Sequence, residues 1–117
     1  FAYACREGGE RALAFMSDLP GLQAGEVGAL CAALRDKEVV VSADRHEAGT
    51  NALGLRLPTK LDSCFGHADS LHRHIASARA LGMTLCRLDL PGLRADLDEP
   101  IDLDDPCVRA WVDAQKR

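Results

Sequence analysis

The run Asp44-Arg45-His46-Glu47-Ala48-Gly49-Thr50-Asn51-Ala52-Leu53 follows the continuous apolar stretch Val39-Val40-Val41 and leads into a second strand-like segment. A buried strand that ends in such a loop can hold an anion, because amide N–H groups around Gly49 and the Thr50 hydroxyl are donors suited to a phosphate. On spacing alone the same run is also a polar turn between two strands. Ser70 opens a helical pattern, where free N–H groups and the positive helix end suit an anion, although an ordinary N-cap explains the same serine. Among the carboxylates, Asp18 ends an apolar run, and Asp96 and Asp98 would point to one side of an extended segment. Their structural alternatives are a turn residue before Leu19-Pro20 and a helix-start residue near Pro100.

These residues need elements to position them. Arg11 to Ser17 is a short continuous apolar run compatible with a strand covered on both faces. Glu26 to Arg35 places Val27, Leu30, Cys31 and Leu34 on one helical stripe, which predicts Cys31 in the core rather than as a nucleophile. Glu38 to Ala43 predicts the next strand, and Asn51 to Leu57 alternates Leu53, Leu55 and Leu57 with smaller or polar residues at a strand period. After an irregular loop, Ser70 to Leu81 predicts a helix stopped by Gly82. Met83 to Leu88 and Leu93 to Leu97 follow as strands, and Pro100 to Gln115 as mostly helical with a break at Pro106.

Strands alternating with helices predict an α/β fold: three layers, a twisted and mostly parallel sheet flanked by helices. Ligands of such sheets collect at the carboxyl ends of the strands, where this reading puts Asp18, the Asp44 to Thr50 loop and Asp96. The 117 residues make one α/β domain over 1–117, with apolar and charged contents of 47% and 27% that are ordinary for a globular chain. A net charge of −4 and the lack of a Lys/Arg block argue against nucleic acid as a partner. No apolar run is long enough to span a bilayer, which argues against a membrane. Five scattered cysteines without a C-x-x-C spacing argue against a disulfide framework and for a cytoplasmic setting. Cys64, His67, His72 and His74 are possible zinc ligands by type, but His72 and His74, two apart on a helix, face different directions.

Three further pieces share the order of the Asp44–Leu53 run: Ser17-Asp18-Leu19-Pro20, Phe65-Gly66 with Ser70-Leu71-His72-Arg73-His74, and Pro91-Gly92-Leu93-Arg94-Ala95-Asp96-Leu97-Asp98. Together the four motifs resemble the D-R-x-x-x-G-T-N-A-L, A-D-L-P, F-G-x-x-S-F-x-R-H and P-G-L-x-x-D-V-D patterns of one family. That family is the 2-phospho-L-lactate guanylyltransferases of deazaflavin (coenzyme F-420) biosynthesis, with their phosphoenolpyruvate and 3-phosphoglycerate variants. One departure stands out: three residues separate Gly66 from Ser70 where the family pattern has two, so the loop bulges or the Gly66 correspondence shifts by one. Asp69 also brings negative charge beside the anion position.

The resemblance covers the C-terminal part of the family's domain, without the N-terminal strands and their guanine-nucleotide loop. It implies a nucleotide-diphospho-sugar transferase-like fold and a GTP-dependent transfer of GMP to a small phosphorylated acid with release of pyrophosphate. By correspondence, Asp18 and Asp96 would hold Mg2+, and Thr50, Gly66 and Ser70 would bind the acceptor, with no general base among the site residues. The alternatives are a molybdopterin- or sugar-phosphate-type nucleotidyltransferase, or a non-catalytic fragment that binds a phosphorylated metabolite. An incomplete sheet would also leave an edge open to a second copy or a complementing chain.

Overall fold

The computed structural model describes residues 6–95 and 106–115. Along the chain run β1 (Arg11–Phe15), α1 (Ala24–Asp36), β2 (Val39–Ala43), β3 (Thr50–Arg56), α2 (Ser70–Ala80), β4 (Leu85–Arg87), α3 (Pro91–Arg94) and α4 (Pro106–Gln115). The four strands form one sheet in the order β1-β3-β2-β4. Every residue of β2, and every residue of β3 but the last, is buried, so both central strands are covered on two faces.

Period-two alternation sorts their side chains into two cores. Val39, Val41, Ala43, Leu53 and Leu55 pack on one face with Leu71 and Ala78 of α2. Val40 and Ala52 pack on the other with Leu30 and Leu34 of α1, Leu93 of α3 and Leu19. The three-layer α/β arrangement is therefore as the sequence predicts. The helix α1 starts in a capping box, with the Gln23 amide donating to Glu26 Oε1 (3.0 Å). Its far end is closed by Arg56, whose Nε donates to the Leu34 carbonyl (2.8 Å) and whose Nη2 donates to the Arg35 carbonyl.

The sheet is mixed rather than mostly parallel. β3 lies antiparallel between β1 and β2, and only β2 and β4 pair in parallel. The cause is the connection at residues 44–49, closed by the Asp44 amide donating to the Gly49 carbonyl (3.0 Å). A link this short makes a hairpin, because a parallel crossover needs roughly a dozen residues or more. β1, β2 and β4 still point one way, so their carboxyl ends and the start of β3 meet at one end of the sheet.

Two local expectations change. Pro91 to Arg94 is a short helix, not part of a Leu93–Leu97 strand: proline at the first helical position is preset for the turn. Residues 96 and 97 of that segment lie outside the described residues. Of the Pro100–Gln115 segment, residues 100–105 lie outside the described residues, and Pro106–Gln115 is the helix α4. Cys31 is exposed, because the buried stripe of α1 runs through Leu30 and Leu34, and Cys31 lies beyond its edge.

A register shift at Ser42/Ala43 pairs Ser42 with Ala52 but Ala43 with Thr50, leaving Asn51 as an extra residue in β3. Such a bulge re-aims the residues beside it. Simple alternation from Leu53 would put Asn51 on the α2 face and Thr50 on the α1 face. Instead, Asn51 Nδ2 donates to the Leu93 carbonyl on the α1 side (2.8 Å), and Thr50 meets Ser70 and His74 of α2.

Candidate functional site

At the end of the sheet where β1 and β2 finish and β3 begins, a cavity of about 180 Å³ is lined by Met16, Asp18, Asp44, Gly49, Thr50, Asn51, Phe65, Gly66, His67 and Ser70. It gathers Asp18, Thr50, Gly66 and Ser70, which come from three separate stretches of sequence. Asp96 lies outside the described residues. A larger cleft of about 410 Å³ opens at the opposite end of the β1–β3 pair, beside Arg11, Arg35 and Arg56. There the Arg56 guanidinium is engaged with the carbonyls that end α1, and no carboxylate and hydroxyl groups converge as they do around Asp18.

The centre of the site is a buried network. The Thr50 amide donates to Ser70 Oγ (2.9 Å), Ser70 Oγ lies 3.2 Å from Thr50 Oγ1, and His74 Nδ1 lies 2.9 Å from Thr50 Oγ1. On the far side of the ring, the Cys64 amide donates to His74 Nε2 (2.8 Å). Thr50 and Ser70 are almost wholly buried and His74 fully so, with the Phe65 ring set edge-to-face with the imidazole (centroids 5.1 Å apart). Ser70 is thus not the N-cap of α2: Asp69 holds that position, and the Ser70 hydroxyl turns inward to Thr50.

Several donors expected to face a ligand are already committed. The Ala48 amide donates to Asp44 Oδ1 (3.1 Å), the Ser70 amide to the His67 carbonyl (3.1 Å) and the Leu71 amide to the Ala48 carbonyl (3.0 Å). An anion beside this loop would therefore depend on hydroxyl groups more than on these amides. Gly66 has φ of +93°, a conformation strained for any residue with a side chain, although open space surrounds it. Asp69 points away from the cavity and pairs with Arg73 across one helical turn (2.7 Å), so its charge is exposed and locally balanced.

Divalent-cation chemistry fits this donor set. Asp18 offers hard carboxylate oxygens, is half-buried and, among the described residues, pairs with no cation. No lysine or arginine lines the cavity among the described residues, whereas two carboxylates do, so a phosphorylated ligand there requires added positive charge. Among the described residues no three acidic, histidine or cysteine side chains converge on one point. A cation held there would take most of its coordination from ligand oxygens and water.

His74 and Asn51 are the residues that motif reading overlooked. The signal for His74 was present, since Ser70, Leu71, His74 and Ala78 share one helical face and all four are buried, while His72 is exposed. Burial holds the His74 imidazole below the usual histidine range. The unfolded chain takes up a proton as pH falls through about 6.5, while the folded chain resists it. Stability is therefore fully present above that range and declines as pH drops from there toward the folded value. Urea midpoints measured at pH 7.5 and 5.5 should show the loss, and His74→Asn should flatten it by about one proton's contribution. An unchanged pH dependence in that variant would mean that other groups carry the effect.

Among the described residues no helix is long and apolar enough to cross a membrane. The model of the family described as "Guanylyl transferase CofC like" matches residues 3–109. The phosphoenolpyruvate guanylyltransferase of Sphaerobacter thermophilus is 41% identical over 111 residues, covering 95% of this chain and 53% of that protein. That of Chloroflexus aggregans is 40% identical, covering 86% and 50%. The 3-phospho-D-glycerate guanylyltransferase of Phenylobacterium zucineum is 35% identical, covering 73% and 38%. The chain thus spans about half the length of the curated relatives it matches first. A crystal structure from Desulfovibrio desulfuricans G20, described within the nucleotide-diphospho-sugar transferases, aligns with a TM-score of 0.65 at 15% identity over 98% of this chain and 55% of that one. That likeness concerns the fold alone: an α/β arrangement with a mixed sheet flanked by helices. With a family model covering nearly the whole sequence, and a relative 41% identical in agreement with it, the chain belongs to the CofC-like guanylyl transferase family.

Proposed function

We propose that this α/β unit is the acceptor-binding, C-terminal part of a guanylyltransferase that joins GMP from GTP to a small phosphorylated acid. Deazaflavin coenzyme F-420 biosynthesis is the pathway, and the cytoplasm the compartment. The observation that carries the reading is the meeting of the Thr50–Ser70 hydroxyl pair and Gly66 with Asp18 around one cavity. Hydroxyl donors and a metal-type carboxylate lining one cavity suit a reaction between two phosphates.

In that reaction a phosphate oxygen of the acceptor attacks the α-phosphorus of GTP. The new P–O–P link forms as the α–β bridging bond breaks, and pyrophosphate leaves with the electron pair. The attacking oxygen is already ionised, so no general base is needed. Asp18, with Asp96, would hold magnesium, which when bound neutralises charge on the triphosphate and the departing pyrophosphate. Thr50, Gly66 and Ser70 orient the acceptor, which turns an encounter of two anions into a positioned pair.

Phosphoenolpyruvate is the first acceptor to test, because the more similar relatives named above are phosphoenolpyruvate guanylyltransferases. The full-length protein, given GTP and magnesium, should release pyrophosphate with phosphoenolpyruvate, 3-phosphoglycerate or 2-phospho-L-lactate; no release with any of the three would sink the proposal. Chelation of the metal should abolish the signal. Thr50→Val keeps the shape and removes the hydroxyl, and should raise the acceptor KM roughly tenfold or more while sparing the KM for GTP. An equal rise in both would argue against an acceptor role for Thr50.

A further inference from the structure

Thr50, Ser70 and His74 form a closed hydrogen-bond system whose protons can be counted. The Cys64 amide has only a hydrogen to offer, so His74 Nε2, 2.8 Å away, accepts and carries no proton. The imidazole is fully buried, no acidic side chain hydrogen-bonds it among the described residues, and burial disfavours its charged form. The neutral ring then carries its proton on Nδ1 and donates it to Thr50 Oγ1 across 2.9 Å.

Four hydrogens belong to the system: those of the His74 Nδ1, the Thr50 amide, the Ser70 hydroxyl and the Thr50 hydroxyl. Three internal bonds use three of them: His74 Nδ1 to Thr50 Oγ1, the Thr50 amide to Ser70 Oγ, and the contact between the two hydroxyls. One hydroxyl proton remains whichever way that last contact runs. With Ser70 donating to Thr50, both lone pairs of Thr50 Oγ1 are engaged and its own proton is the one left over. Both hydroxyl residues line the cavity that also holds Asp18. The opposite tautomer would reverse the count, since Thr50 would then donate to Nδ1 and no spare proton would face the cavity.

We propose that His74 is a positioning residue that sets the polarity of the Thr50–Ser70 pair, so that the cavity meets its ligand with a hydroxyl proton and selects an oxyanion, carboxylate or phosphate. The proposal rests on the acceptor-site reading above and adds the residue that gives the site its preference for anions. His74 touches no ligand in this arrangement, because both its ring nitrogens are engaged by protein atoms. A hydroxyl whose lone pairs are occupied is also a poor metal ligand, so a cation in the cavity would be left to the Asp18 carboxylate.

The test begins with the wild-type full-length protein, labelled with nitrogen-15 on histidine. Long-range proton–nitrogen NMR at pH 7.5 should show His74 neutral with Nδ1 protonated; an Nε2-protonated or cationic ring overturns the proposal. Calorimetry with phosphoenolpyruvate and with inorganic phosphate then compares two variants. His74→Leu fills the space without the N–H and should weaken phosphoenolpyruvate binding roughly ten- to hundredfold, with the KM for GTP unchanged. His74→Asn, whose side-chain amide can offer an N–H where Nδ1 stood, should restore most of that loss.

An Asn variant as weak as the Leu variant, or a GTP KM that rises in step with the acceptor KM, overturns the positioning role. The NMR result stands even where a variant folds poorly. Failure of the parent reading looks different: the wild-type protein would release no pyrophosphate with any acceptor, while the tautomer and the phosphate affinities of the variants would still report on His74. Turnover by the wild type together with an Nε2-protonated ring would sink the His74 proposal alone.

Discussion

Asp18→Asn in the full-length protein is expected to lower turnover with GTP and the acceptor by about 10²- to 10³-fold, the range seen when one group stabilising charge in a transition state is removed. The substitution keeps the shape and removes the charge. Its neighbour Leu19 is buried against the α1-side core, and the Leu22 amide donates to the Leu19 carbonyl (3.2 Å). The backbone at Asp18 is therefore held by groups the substitution does not touch, and folding stability should be unaffected. If Asp18 holds the metal as proposed, the magnesium concentration for half-maximal rate should rise as well, because one anionic ligand would be lost while the phosphate ligands remain. Initial rates across a magnesium titration provide the measurement. An unchanged rate and unchanged magnesium requirement would remove Asp18 from the metal site and leave the hydroxyl wall of the cavity as the functional feature.

Gly92→Ala is expected to destabilise the fold by about 2–4 kcal/mol, through overpacking and the loss of a charge-assisted hydrogen bond. The Gly92 amide donates to Glu26 Oε2 (2.9 Å), while the other oxygen of that carboxylate accepts the Gln23 amide (3.0 Å). A single side chain thus ties the start of α1 to the start of α3. A β-carbon at position 92 would overlap both the Glu26 carboxylate and the Gly21 carbonyl oxygen. Glu26 can swing aside only by releasing both amides, and the Gly21 oxygen belongs to the backbone. Urea unfolding of the variant measures the cost. A change within about 0.5 kcal/mol, typical of surface substitutions, would mean that α3 does not pack closely on this turn.

The same contact bears on the site. The Asn51 amide group holds the Leu93 carbonyl, and the Glu26 carboxylate holds the Gly92 amide, so two anchors fix α3 three to four residues ahead of Asp96 in the chain. Gly92→Ala should accordingly reduce activity beyond what loss of folded protein explains. Rates normalised to the folded fraction separate the two effects.

Much of the architecture was legible because its signals are local. The apolar runs of β1 and β2, the alternating leucines of β3 and the buried stripes of α1 and α2 follow from the periods of strand and helix. Motif order was legible too, and it named Asp18, Thr50, Gly66 and Ser70, which line one cavity. Cys31 and the segment after Pro91 were misread for a common reason: a short apolar pattern does not say which edge of a stripe is covered, or whether four residues turn or extend.

By itself, the sequence determined the types of the main elements, their order, and the family to which their motifs belong. The antiparallel direction of β3 was implicit in the short 44–49 link; only the tertiary structure decided the face on which Thr50 lies. Strand period alone points Thr50 toward α1; the bulge at Asn51, set by pairing with β2, exchanges the two residues and delivers the Thr50 hydroxyl to Ser70 and His74. Alternation is a property of one strand, whereas register is a property of two strands and of the side chains that close around them. The chemistry expected of the Asp44–Leu53 run depends on that second, non-local choice.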